Sequence, residues 1–156
     1  MVIIGVKIIV DADACPVKNE IADAAKRFGV PVVMVASYDH RLEAREGVSI
    51  VQVDRSDQSV DLYIANRISS GDILVTQDFG LATIGLAKKA IALSNRGQTY
   101  TDRTIDFLLE NRHESAKQRR GGKYGKGPKP FTEQDRQSFL QTLTKLLTRL
   151  QENGTI

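Results

Sequence analysis

The chain is poor in the residues that staple or anchor a protein. It has one cysteine, Cys15, in 156 residues, so no disulfide can form within it. A domain of this length buries roughly two-thirds of its unfolded surface and needs no covalent staple. Tryptophan is absent, and histidine is limited to His40 and His113. A histidine-rich metal centre is therefore excluded, and neither histidine lies near Cys15 in sequence to make it a nucleophile. No apolar run is long enough to span a bilayer. The apolar start, Met1 to Ile4, stops at Gly5 and Lys7 and has no basic lead. Without a leader or a span, the expected location is the cytoplasm, with no membrane partner.

Charge is abundant but unevenly placed. The formal net charge is +3. Between Arg112 and Lys129 lie seven cations, Arg112, Lys117, Arg119, Arg120, Lys123, Lys126 and Lys129, against Glu114 alone, so the rest of the chain is net acidic. A basic arm on an acidic body suits a polyanionic partner, although a solvated loop has the same composition. The arm, residues 117–130, contains Gly121, Gly122, Gly125, Gly127, Pro128 and Pro130 and excludes regular structure over its glycine-rich part. Arg119, Arg120, Lys123 and Lys126 can track phosphates, and Tyr124 can stack on a base. A plain linker is the other reading.

Apolar runs alternate with helical periodicity. Strands are expected at Val6 to Val10, Val32 to Ala36, Val48 to Val53, Ile73 to Thr76 and Ala90 to Leu93. Helices are expected between them, the first with Pro16 in its first position and another from Gly80 to Lys89. A longer helix runs through Ile105, Leu108, Leu109 and Arg112. Thr132 starts a last helix over residues 132–152, with Asp135 in a capping box. Its seam of Phe139, Leu143, Leu146 and Leu150 suits packing on the body or, as a homodimer, on a second copy. Strand–helix repetition predicts one α/β domain of three layers, residues 1–156. Its central sheet of about five strands is mostly parallel, in the order 3-2-1-4-5, with helices on both faces.

In such a sheet ligands sit beyond the carboxyl ends of strands, where strand order reverses. The first strand ends in Asp11-Ala12-Asp13 and the fourth in Thr76-Gln77-Asp78. Order 3-2-1-4-5 makes them neighbours at the reversal. Asp11, Asp13 and Asp78 are then expected to converge as metal ligands, with Asp61, in the first turn of the preceding helix, within reach. Clustered carboxylates stay ionised only beside a cation, and hard oxygens suit Mg²⁺ or Mn²⁺. Each aspartate also has a structural reading as a cap or turn residue. Thr76 can hydrogen-bond a ligand or a carboxylate, and Arg96, after the fifth strand, can meet phosphate or be solvated. Cys15 is expected to be buried and inert.

Three motifs in order carry a resemblance: Asp11-Ala12-Asp13-Ala14-Cys15-Pro16-Val17-Lys18, the stretch from Gly71 to Ala82, and the stretch from Arg119 to Phe131. With them the chain resembles the YaiI/YqxD family of uncharacterised bacterial proteins, grouped with PIN-like domains. The resemblance covers most of the chain and implies a PIN-like fold. PIN domains are typically Mg²⁺- or Mn²⁺-dependent ribonucleases. By motif, Asp11 and Asp13 match the acids after strand 1, Asp78 the acid after strand 4, and Asp61 the acid in the helix before it. The chain departs from the pattern at Gln58, where many members carry a further aspartate, and at Asn95 and Arg96, where PIN nucleases often carry another acid. The first expectation is a metal-dependent nuclease acting on RNA with Asp11, Asp13, Asp61 and Asp78. The alternative is an RNA-binding module with a degenerate site. A haloacid-dehalogenase-like phosphatase stands third, because its Asp-x-Asp motif is followed here by Cys15 in place of Thr or Val.

Overall fold

The computed structural model describes residues 5–37, 43–54, 59–122 and 129–156, without the side chain of Arg119. The described elements run β1 (Ile8–Asp11), α1 (Lys18–Phe28), β2 (Val32–Ser37), β3 (Val48–Val53), α2 (Ser59–Arg67), β4 (Ile73–Val75), α3 (Phe79–Ala87), β5 (Ile91–Leu93), α4 (Asp102–Arg120) and α5 (Glu133–Glu152). The five strands form one sheet in the order β3-β2-β1-β4-β5. All four pairings are parallel, as continuous apolar runs joined by helices require. None of the described helices is long and apolar enough to cross a membrane.

The two-residue period of β1 and β4 divides the core. Ile8, Val10, Ile73 and Val75 pack with Ile21, Ala25, Phe139, Leu143 and Leu147, the layer made by α1 and α5. Ile9 and Leu74 pack with Val60, Ile64, Leu81 and Ile105, the layer made by α2, α3 and α4. The next residues in the alternation, Asp11 on β1 and Thr76 just past β4, fall on the α2–α3 side. The alternation aims the site's first acid.

One expectation needs correction. Pro16 lies in a turn, and α1 begins at Lys18. A fixed φ suits a turn as well as a first helical position. Ahead of its glycine-rich part the basic arm is helical, because α4 continues through Arg120. The seam of α5 is covered within the chain: Phe139, Leu143 and Leu147 are fully buried against β1 and α1. Thr132 and Asp135 form the expected capping box. One further contact seats this helix. Gly97 has φ +85°, and a Cβ there would lie 2.7 Å from the Ser138 carbonyl oxygen. Only glycine lets the loop after β5 lie against α5 so closely.

Candidate active site

Asp11 ends β1, and its Oδ2 accepts a 2.9 Å hydrogen bond from the Thr76 hydroxyl. Thr76 is fully buried, and the same Oγ1 accepts from the Asp78 N–H at 3.0 Å. One hydroxyl thus ties the end of β1 to the turn after β4. Of the two roles open to it, ligand or carboxylate, Thr76 takes the carboxylate and stands behind the site. The Tyr100 hydroxyl donates to the Thr76 carbonyl at 3.1 Å and fixes the turn from below.

Asp78 caps α3. Its Oδ1 accepts from the N–H groups of Gly80 and Leu81 at 2.8 and 3.2 Å. Asp61, in the first turn of α2, lies close enough to Asp78 for the two carboxyls to share a proton. Burial raises the Asp61 carboxyl first. The Asp78 charge, that shared proton and the charge of Asp11 push it further, to about 6. Asp11 is also raised, chiefly by burial; the Thr76 bond pulls against this, and the charges of Asp13 and Asp78 add to it. Three acids from β1, α2 and the β4–α3 turn therefore gather where the strand order reverses.

Asp13 sits differently. The chain leaves the strand after Asp11 and turns at Asp13, so the two carboxylates are not presented in parallel. Asp13 Oδ1 accepts from the Ser37 N–H at 2.8 Å and fastens the β1–α1 turn to the end of β2. Its charge still reaches Asp11. Arg96 faces away from this crevice. Its guanidinium bonds Asp135 and donates to the Lys129 carbonyl at 2.6 Å, clasping the start of α5. Arg120 is exposed at the end of α4. Lys123, Tyr124 and Lys126, and the side chain of Arg119, lie outside the described residues. Cys15 is 5% exposed, and burial pushes its thiol up to about 11, so it is inert at neutral pH.

Beside the acids opens a crevice of about 470 Å³, lined by Asp11, Gln77, Asp78, Phe79 and Arg112. Three of these, Gln77, Phe79 and Arg112, were not expected from sequence as site residues. Arg112 lies two turns beyond the buried Ile105 on α4, with half-buried Leu108 between them at helical spacing. That stripe was visible; the element it would face was not.

Among the described residues, no three His, Cys, Asp or Glu side chains are grouped tightly enough to enclose a metal ion. The donors nonetheless fit a hard cation, which commonly takes one or two carboxylates and leaves its other positions to water and substrate phosphate. The carboxylates of Asp11, Asp61 and Asp78 repel one another without a cation. After β5, Asn95 is 4% exposed, and its Oδ1 has no partner among the described residues. That places a neutral acceptor in the loop beyond β5.

Comparison with known proteins agrees with the three motifs. The model of a family described as "Uncharacterized BCR, YaiI/YqxD family" matches residues 9–149. A protein of Bacillus pumilus named "UPF0178 protein" is 50% identical over 142 residues, covering 90% of this chain and 86% of its own. A UPF0178 protein of Bacillus cytotoxicus is 47% identical, covering 91% and 93%. One from Listeria monocytogenes serotype 4b is 45% identical, covering 90% and 97%. No solved structure matches significantly.

Proposed function

Since the chain belongs to the YaiI/YqxD family, we propose that it is a divalent-metal-dependent phosphodiesterase that acts on RNA. The observation that carries this reading is the gathering of Asp11, Asp61 and Asp78 at the strand-order reversal, beside an open crevice. Asp11 and Asp78, the two acids that line the crevice, would hold Mg²⁺ or Mn²⁺, with Asp61 and Asp13 adding their charge. When bound, such a cation supplies charge for a phosphate and lowers the pKa of an attacking water. The chain's own part is positioning and proton handling. The Thr76 hydroxyl orients Asp11, and the N-terminus of α3 holds one oxygen of Asp78. Asp61, whose carboxyl is raised to about 6 in the metal-free protein, would release its proton as a cation binds beside it. The cations of α4 and of the arm would draw the RNA backbone to the crevice.

One observation favours the second reading, an RNA-binding module without turnover. Asp11, Asp13 and Asp78 each already have a carboxylate oxygen bonded within the protein.

The experiment that separates the two readings is hydrolysis of a labelled single-stranded RNA with Mn²⁺, with Mg²⁺ and with EDTA. Turnover should require metal and fall by at least about 100-fold in Asp78→Asn. Cleavage that survives EDTA, or is unchanged in the variant, counts against the phosphodiesterase reading. Absence of cleavage with firm RNA binding favours the binding module.

A further inference from the structure

The lining of the crevice is not acidic throughout. Arg112 lines it together with Asp11 and Asp78, and none of the ion pairs among the described residues involves Arg112. Phe79 also lines the crevice and is half-buried. Its ring is braced edge-on by Tyr100, with centroids 6.1 Å apart, and Tyr100 is anchored by its hydroxyl to the Thr76 carbonyl. A fixed aromatic ring and an arginine in the lining of one crevice match the two halves of a nucleotide. The planar guanidinium forks onto phosphate oxygens, and an aromatic ring stacks on any base without reading its sequence.

We propose that this crevice is a nucleotide clamp, in which Arg112 grips a phosphate of single-stranded RNA and Phe79 carries the adjoining base. The choice of RNA as ligand rests on the function proposed above; the clamp itself rests on the geometry of Arg112 and Phe79. The strand then has a path away from the site. Beyond Leu108 the described side chains of α4 are exposed, except for half-covered Ala116. Lys117 and Arg120 lie on this free length. From Arg112 to Arg120 the helix rises about 12 Å, so its cations continue outward from the crevice.

Fluorescence anisotropy with a short fluorescein-labelled oligouridylate tests the clamp. Ca²⁺ replaces Mg²⁺ so that a hard cation is present under conditions chosen against turnover. Arg112→Ala should weaken binding about tenfold and lower the log–log salt slope by about 0.7, the loss of one phosphate contact. Arg112→Lys should fall between, since it keeps the charge and loses the fork. Phe79→Leu should weaken binding about tenfold with the salt slope unchanged, because stacking releases no counterions. Lys145→Ala, on the groove between α5 and β5, should bind as the wild type does. Thermal melting checks that each variant folds.

The clamp is wrong if the wild type does not bind, or if folded Arg112→Ala and Phe79→Leu bind like it. It is also wrong if the wild type turns RNA over and these two variants keep its kcat/KM, in which case the phosphodiesterase reading stands alone. If the variants weaken binding but no metal supports hydrolysis, the clamp stands and the turnover reading fails.

Discussion

Thr76 uses one hydroxyl twice, donating to Asp11 and accepting from the backbone of Asp78. Thr76→Val keeps the shape and removes both bonds, leaving a carboxylate oxygen and an N–H unpaired. The variant should lose about 1–3 kcal/mol in urea unfolding at neutral pH, and an unchanged midpoint would deny the hydroxyl this role. The acids make a second prediction. The ordinary value of an aspartate carboxyl is 3.8, and folding raises that of Asp61 to about 6. Between these, the folded state holds a proton that the unfolded state has lost. The Asp61 contribution to metal-free stability is therefore fullest below about pH 4 and is lost as pH rises through about 6. Asp11, also raised, acts in the same direction. In EDTA the melting temperature of the wild type should fall over this range relative to Asp61→Asn. Parallel profiles for the two proteins would contradict the crowding of these carboxyls. At this scale sequence reached the acids and left Thr76 open between a ligand and a carboxylate. Asp-x-Asp after a strand is a local pattern, whereas the bond from Thr76 to Asp11 joins residues 65 positions apart. Arg96 looked free for a phosphate because its partner Asp135 is 39 positions away.

Among the elements, α5 is the one whose partner the sequence left open. Its seam suited the body or, slightly less, a second copy, because periodicity shows a face and not what covers it. The structure covers that face with α1 and β1, and the loop after β5 closes on it at Gly97. The Thr142 hydroxyl donates to the Gly97 carbonyl at 3.0 Å. Gly97→Ala meets both a left-handed backbone and the Ser138 carbonyl, and should cost about 3 kcal/mol. Gly71 shares the positive φ, +86°, but a Cβ there meets nothing within 4 Å. Gly71→Ala should cost only about 1–2 kcal/mol. Chemical denaturation of the pair isolates the docking of α5; equal losses would mean that the contact at Gly97 relaxes freely. Four strands were legible as short apolar runs largely buried on both faces, and the edge strand β3 as a β-branched run despite its exposed Ser49 and Gln52. The start of α1 was misjudged at Pro16, since a proline before a periodic stretch signals a turn and a helix start alike.

Across the whole molecule, two charge signs meet at one edge of the sheet. The acids come from β1, α2 and the β4–α3 turn, and the cation of the crevice comes from α4. The order β3-β2-β1-β4-β5 brings β1 and β4 together, and the two-residue alternation turns Asp11 and Thr76 to the side of α2 and α3. Both rules act on sequence alone, so the crevice was expected at this edge. The position of α4 over it was not, because packing of α4 on α3 fixes that placement and no local pattern encodes it. The central claim is that the gathered carboxylates of Asp11, Asp61 and Asp78 are a divalent-cation site. Titration calorimetry with Mn²⁺, for the wild type and for the Asp11→Asn/Asp78→Asn double variant, with and without RNA, tests it most directly. The account predicts Mn²⁺ binding to the wild type, tighter with RNA present, that disappears in the double variant. Failure of the wild type to bind Mn²⁺ at millimolar concentration even with RNA, or equal binding by the double variant, would contradict it.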